Sequence, residues 1–466
     1  MIGILHGQSL VSFWPENKNL FLIPHWFVRA GLFLFLNPCY NDFTMEKILD
    51  LHIHSRYSRA CSRDLELPKI ATMCLKKGID IVATGDFTHP KWFEHIQKEL
   101  QEVSDSGLFE LKNEKNPTRF ILGTEISCIY RDKEKCRRVH LLIFAPSFEA
   151  VEKINADFDN LGFNRKADGR PIIGLSAKKL LELILRADKR CFMVPAHAWT
   201  PWFAIFGSKS GYDSIKECFE ELTPHITAIE TGLSSDVVMN RRLCALDNIV
   251  LISNSDAHSL DKLGREANVF NFESEKEITY DNIVNILKTG DKKKFLYTIE
   301  FYPEEGKYQY DGHATCGVCL SPKQSKKEKN ICPKCKKPLV IGVEHRVDDL
   351  ADREAADIPW EKFIPYKYIV PLAEILSQIL EVGPKSKKVV VEYEHLLQNI
   401  GSEFYILLKA GEQEIKKYTH YPELWLAINN MRTGRVGLQP GYDGVFGKIG
   451  LIGEKDVRKP IQEQLI

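Results

Sequence analysis

A surplus of charge of either sign is absent from this chain: 63 Lys and Arg stand against 63 Asp and Glu. A neutral chain does not hold nucleic acid by bulk charge, so any such surface must be a local patch. Disorder is excluded as well, because 44% of the residues are hydrophobic and the net charge is nil. Cysteine is sparse: twelve in 466 residues are too few for a disulfide-dense scaffold. Four of the twelve sit in a tight metal-type pattern and the others stand singly, as free thiols do in a reducing compartment. The sequence therefore predicts a cytoplasmic protein. Neither an internal repeat nor a long low-complexity tract is present.

A long uninterrupted apolar run is missing too. The most apolar stretch, LFLIPHWFVRAGLFLFL at 20–36, contains Pro24, His25 and Arg29, whereas a spanning helix needs about 20 apolar residues. It shows neither the basic start nor the small-residue cleavage site of a secretory signal. Met45 opens MEKILDLHIHS, so the expectation is that Met45 is the true start, with residues 1–44 a doubtful extension read from upstream of the gene. A membrane-anchoring segment and a folded extension are the alternatives; with Met45 as the start, no membrane is expected.

From residue 45 to about 302 one pattern recurs. Short apolar runs end in polar or titratable residues: KILDLHIH, DIVATGD, FILGTEI, VHLLIF, CFMVPAHAW, HITAIETG and NIVLISNSDAH, with helical stretches such as LPKIATMCLKKG between them. Such runs resemble parallel strands buried on both faces, and the alternation predicts an α/β fold, open-wound or closed into a barrel. Residues 303–340 form a small separate module. Residues 341–466 read as a mixed α/β region with helices around 371–382, 388–399 and 422–432, a strand at FYILLK, and a Gly-rich tail.

The candidate ligands gather near the ends of these runs. Asp50, His52 and His54 alternate, as do Asp256 and His258; between them lie Asp86, His89, Glu125, His140, His197 and Glu230. A lone histidine on an apolar strand is more often a hydrogen-bonded core residue. Imidazoles and carboxylates on five or more runs change that reading, because burying them together without a cation is costly. They are the ligand set of zinc, manganese or iron, and His52, His54, His89, Glu125, His140, His197, Asp256 and His258 are the expected metal ligands. Cys316-x2-Cys319 and Cys332-x2-Cys335 have the spacing of a four-cysteine zinc ribbon holding one structural zinc. Residues 321–338 carry seven lysines against the single acid Glu328, a candidate phosphate-tracking surface.

DLHIHSRYS, TGDFTH, the Glu125, His140 and His197 positions and SNSDAH together resemble the polymerase-and-histidinol-phosphatase (PHP) family. That resemblance implies a seven-stranded β/α barrel over 45–302 that hydrolyses phosphate esters with two or three divalent metals (Zn, Mn or Mg). The chain departs from the family pattern at Phe87, where a histidine is usual, and at Ala60, where a further ligand is usual. With the ribbon, GDFTHPKWF, AHAWTPWFAIFG, GREAN and the tail PGYDGVFG, the whole is similar to the endonuclease Q family. This second resemblance implies a DNA-repair endonuclease that recognises deaminated bases (uracil, hypoxanthine, xanthine) or abasic sites and cuts 5′ of the lesion. It also implies a DNA-binding role for 341–466.

Reading one damaged base in a duplex requires flipping it from the stack. Trp92 and the Trp199, Trp202 and Phe203 loop are the expected stacking residues, although rim packing is the plain alternative. Lys91 and Arg265 are expected at backbone phosphates. Asp256, with His197 and His258, is expected to act in catalysis, Asp256 by ligating a metal and orienting the nucleophile. A small-molecule phosphatase and a non-catalytic nucleic-acid-binding protein are the competing functions.

Overall fold

In this computed structural model the described residues are 45–453 and the backbone of 457–458. The expectations for residues 1–44 lie outside them. Among the described residues no helix is long and apolar enough to cross a membrane.

The first half alternates as the pattern predicts. Strand β1 (Met45–Asp50) leads through helix α1 (Leu67–Lys77) to β2 (Ile81–Ala83), and α2 (Pro90–Glu99) precedes the long β3 (Arg119–Asp132). These three strands pair in parallel, Leu49 opposite Ile81 and Val82 opposite Phe120. Helix α1 buries Leu67, Ile70, Ala71 and Cys74, the i, i+3, i+4, i+7 stripe that packs on a sheet. It stops at Gly78, whose φ of 86° no β-carbon would favour.

At β3 the all-parallel expectation fails. Strand β4 (Lys135–Ala145) runs antiparallel to β3, from Leu122 opposite Ala145 to Asp132 opposite Lys135. Only Lys133 and Glu134 separate the two strands, too few for the crossover a parallel pair needs. Helices α3 (Phe148–Asn160) and α4 (Ala177–Ala187) then lead to β5 (Phe192–Pro195), which is antiparallel to β4. Strands β6 (Ala228–Glu230) and β7 (Val250–Ile252) pair in parallel with each other.

The Ala198 N–H donates to the Glu230 carbonyl at 2.9 Å just past β5, and the His54 N–H donates to the Ala257 carbonyl at 3.1 Å beside an isolated parallel bridge at Ile53 and Ala257. The ends of β5, β6, β7 and β1 therefore meet. On the other side of β1, β8 (Ala267–Phe272) and β9 (Phe295–Glu300) add antiparallel, and β10 (Tyr366–Tyr368) pairs in parallel with β9. The result is a mixed α/β fold built on a large mixed sheet.

Beyond the sheet, helices Leu372–Leu380, Lys387–Asn399 and Glu423–Arg432 lie near their expected positions. FYILLK, expected as a strand, falls in helix Glu403–Leu408, whose N-cap Ser402 side chain accepts from the Tyr405 N–H. A short apolar run has no period that separates the two states, and the cap decides it. The Gly-rich tail contains a small antiparallel sheet, with Val436–Gln439 paired to Lys448–Gly450 and to Val457–Arg458.

Candidate metal centre

Three overlapping sets of donor atoms converge: His52, His54 and Glu125; His54, Asp256 and His258; and Glu125, His140 and His197. Glu125 and His54 each belong to two sets, so the groups form one continuous cluster. His140 Nδ1 lies 2.7 Å and His197 Nε2 3.1 Å from Glu125 Oε1. On the other carboxylate oxygen, Oε2, His54 Nε2 is 3.3 Å away and His52 Nε2 3.7 Å. Asp256 Oδ1 closes the line, 3.1 Å from His54 Nε2 and 3.5 Å from His258 Nδ1.

Glu125 and His140 come from the hairpin, with Ser127 directly opposite His140. The others follow strand ends. His52 and His54 lie just beyond β1, and Asp50 does not join them: it accepts from the Ser255 and Gly264 N–H groups. Asp86, His197 and Asp256 all have positive φ, at 48°, 28° and 45°. Non-glycine residues held there are strained, and such strain collects at functional sites.

Asp86 and Glu230, read from the sequence as possible ligands, take another part. Glu230 faces His52 Nδ1 at 3.1 Å and Asp86 faces His54 Nδ1 at 3.1 Å, so each carboxylate turns the opposite Nε2 toward the cluster. Histidine–carboxylate pairs of this kind orient imidazoles in metal sites. Glu230 also accepts from Asn254 and the His197 N–H; Asp86 also accepts from Ser55 and Ser58.

A cation fits this arrangement. His52 Nε2 is buried, makes no hydrogen bond, and points between Glu125 and Asp256. Burial opposes charge on His52, yet Glu230 and Asp256 outweigh it and raise its pKa well above the ordinary value. His54 is raised likewise against its burial by Asp86, Asp256 and Glu125. Protons held on these rings stand where a divalent ion's charge would act. His140, pushed down to about 4 mainly by its burial, is neutral at neutral pH, the state a ligand needs.

One contributor was missed by the sequence reading. Arg170 Nη1 donates to Glu125 Oε2 at 2.9 Å. Burial opposes charge on Glu125, and His140 and Arg170 together hold its carboxyl well below the usual range. With His140 neutral, Arg170 supplies Glu125 with a positive charge that does not depend on a titrating imidazole. It lies in an irregular loop after α3, where ADGRP offers only a turn signal.

Several expected residues sit elsewhere. His89 is not in the cluster; its ring stacks on Tyr57 at 4.4 Å, and it does not replace the histidine missing at Phe87, which is itself fully buried. Trp92 and Trp199 are core residues. The Trp92 indole N–H bonds the Thr84 and Gly85 carbonyls, and that of Trp199 bonds Asn240, so neither presents a face to a base. Trp202, 46% exposed, and the half-buried Phe203, 4.6 Å from the His140 ring, remain at the edge of the cluster. Lys91 is exposed at the start of α2. Arg265 is spent on the Ser255 and Asp256 carbonyls and braces the Asp256 turn.

In the small module the converging donors are His313, Cys316, Cys332 and Cys335. Cys319 is outside the set, its thiol 3.8 Å from the Pro440 carbonyl, so His313 takes the fourth place expected for it. A three-cysteine, one-histidine set is as good a zinc-type site as four cysteines. Of the lysines, Lys326 is paired with Asp348 and Asp349.

Comparisons with known proteins place the chain as a whole. Residues 371–435 match the family model described as the MJ0043 C-terminal domain. The chain is 31% identical over 267 residues to the uncharacterized protein MJ0043 of Methanocaldococcus jannaschii, 56% of this chain and 32% of the relative, so it spans about a third of that relative's length. It is 28% identical over 424 residues to the uncharacterized protein YqxK of Bacillus subtilis, 87% of this chain and 100% of that one. Among solved structures, the lesion-specific endonuclease PfuEndoQ of Pyrococcus furiosus superposes with a TM-score of 0.76 at 31% identity, covering 87% of this chain and 95% of that chain. Endonuclease Q in complex with a 27-mer duplex carrying an abasic lesion at the active site gives 0.75 at 31% identity, with 90% and 100% covered. Likeness of sequence and fold over nearly the whole of both solved chains places this chain in the endonuclease Q family.

Proposed function

We propose that this chain is a metal-dependent DNA-repair endonuclease that recognises deaminated bases (uracil, hypoxanthine, xanthine) or abasic sites and hydrolyses the phosphodiester 5′ of the lesion. Membership of the endonuclease Q family supports the nuclease part of this reading, and the histidine–carboxylate donor cluster supports its dependence on metal. The observation that carries the reading is the continuous cluster from His140 to His258 with the unpartnered His52 Nε2 inside it.

In this reading His52, His54, Glu125, His140, His197, Asp256 and His258 hold two or three divalent ions. When bound, such ions lower the pKa of water and polarise a phosphoryl oxygen. Asp256, at the mouth of the cluster, orients the attacking water, while Asp86 and Glu230 keep the His54 and His52 rings in position. Trp202 and Phe203 contact the unstacked strand, and Lys91 with the ribbon lysines follows its phosphates. A zinc ion on His313, Cys316, Cys332 and Cys335 shapes the ribbon. The meeting of the β5, β6, β7 and β1 ends favours a closed seven-stranded barrel, and the division at 302 and 340 follows from the same reading.

The test is a labelled duplex with one deoxyuridine, one deoxyinosine or one abasic analogue beside an undamaged control, with magnesium, manganese or zinc added. A single incision 5′ of the lesion is expected, and Asp256→Asn should abolish it while leaving DNA binding nearly intact. Failure to cut any duplex, with phosphate released from small esters, would move the protein to the phosphatases. An Asp256→Asn protein that cuts at near-normal rate would remove Asp256 from the mechanism.

A further inference from the structure

Three histidines of the cluster have a partner on the ring nitrogen that turns away from it, and the partners differ in kind. His52 Nδ1 faces Glu230 and His54 Nδ1 faces Asp86, each at 3.1 Å, and both carboxylates are fully buried. His197 Nδ1 instead meets the Thr200 hydroxyl at 3.1 Å. Thr200 is neutral, and it belongs to the turn that carries the exposed Trp202.

The bonds around Thr200 settle which nitrogen of His197 keeps a proton. The hydroxyl has one proton to give, and its Oγ1 lies 2.8 Å from the Trp202 carbonyl oxygen and 3.4 Å from that of His197. Carbonyls only accept, and the shorter contact takes the proton. The lone pairs left on Oγ1 can then only accept, so His197 Nδ1 is the donor. In the neutral ring Nε2 is therefore bare. Nε2 is the atom that stands 3.1 Å from Glu125 Oε1 and 3.2 Å from His140 Nδ1.

The turn is fastened in this shape. The Lys209 N–H donates to the Pro201 carbonyl at 2.9 Å and the Phe203 N–H to Ser210 Oγ at 3.3 Å. A β-carbon on Gly207 would come within 2.5 Å of the Thr200 carbonyl oxygen, so only glycine lets the chain fold back so closely. The Phe203 carbonyl accepts from the His140 N–H at 3.0 Å. One turn thus holds His197 through a side chain and His140 through its main chain.

We propose that Thr200 is a positioning residue of the metal centre. It fixes the His197 proton on Nδ1, presents the bare Nε2 to an ion shared with Glu125 and His140, and makes that position the more weakly held part of the centre. The weakness follows from the partner. A carboxylate on the outer nitrogen raises the basicity of an imidazole ligand, and His52 and His54 have one each. His197 has a hydroxyl whose own proton is committed to a backbone carbonyl. The proposal rests on the reading of the cluster as a metal centre, and it is independent of which DNA lesion is cut.

The experiment titrates the full chain with manganese, following the electron paramagnetic resonance signal of the free ion, for wild type, Thr200→Val and Thr200→Ser. Valine keeps the branched shape and removes the hydroxyl; serine keeps the hydroxyl and removes the methyl. The weakest ion of the wild type should bind about tenfold more weakly in Thr200→Val, the lower end of the range for partners of metal-bound histidines. The tighter ions should be unaffected, and Thr200→Ser should restore the lost affinity. The manganese concentration that half-activates cutting of an abasic-analogue duplex should rise by the same factor in Thr200→Val. Wild-type affinity in Thr200→Val overturns the proposal. So does equal weakening of every ion that serine does not relieve, which would make Thr200 part of the fold. Manganese binding in the expected pattern by a chain that cuts no duplex would support the proposal while sinking the endonuclease reading. A wild-type chain that binds no manganese overturns the metal centre and the proposal with it.

Discussion

Asp86 grips His54 through Nδ1 at 3.1 Å, while His54 Nε2 looks into the cluster. Asp86→Asn tests that grip. Asparagine tolerates the positive φ of 48° at this position, so the backbone is spared and only the charge and acceptor are removed. Metal affinity should fall by about 10–100-fold, read by calorimetric titration of the metal-free protein. Wild-type affinity would mean that packing alone holds the ring.

The metal-free protein should respond to pH in a direction fixed by His52 and His54. Both folded-state pKa values are raised well above 6.5, so their contribution to stability is complete below the unfolded value. It is lost as pH rises through the folded values. Asp50, raised to about 6 mainly by its burial, adds a loss in the same direction between its unfolded value of 3.8 and 6. Manganese or zinc displaces the histidine protons, so the increase in Tm on adding metal should grow with pH across this range. Calorimetry at several pH values with and without metal would show it; a Tm increase that shrinks with rising pH would exclude these histidines as ligands.

Substitution in the Cys/His cluster separates two ligand sets. His313→Ala and Cys332→Ser should each lose one zinc per chain, whereas Cys319→Ser should retain it. Metal content measured after gel filtration distinguishes them, and loss of zinc from Cys319→Ser would restore the four-cysteine set.

Lys323, Lys327, Lys329, Lys336 and Lys337 are exposed around the Cys/His cluster, while Lys326 is held by two aspartates. Replacing Lys327 and Lys329 by Ala should weaken binding to damaged and undamaged duplexes alike. It should also lower the slope of log K against log salt by about 0.9 for each phosphate that is no longer neutralised. The same change at Lys326 should alter the slope less. An unchanged slope in the double variant would take DNA off this face.

What the sequence made legible was whatever is local. His52-x-His54 and Asp256-x-His258 are spaced so closely that strand-end geometry brings them together, and Glu125 stands out as a carboxylate closing an apolar run. Strand direction was hidden, since a run buried on both faces looks the same whichever way its neighbour runs; that only Lys133 and Glu134 separate the two strands shows once the structure gives the strand ends. Trp92 looked available beside His89 because its bonds to the Thr84 and Gly85 carbonyls exist only in three dimensions. Arg170 had no motif around it. His313 did carry a signal: His313-x2-Cys316 has the same gap as Cys316-x2-Cys319, and a metal knuckle is read from either.

The hairpin of β3 and β4 also sets an order of assembly. Hairpins close in about 1–10 μs, so Glu125 and His140 meet as soon as residues 119–145 are free to pair. The His54–Asp256 contact spans 202 positions and waits for the return of a distant segment. On a ribosome, the half of the centre that gathers charge is therefore made first, and Asp256 and His258 arrive only after more than half of the chain has been synthesised. A chain that stops short of Asp256 therefore carries only part of the candidate ligand set, with Glu125 and His140 already paired and His54 still without its distant partner.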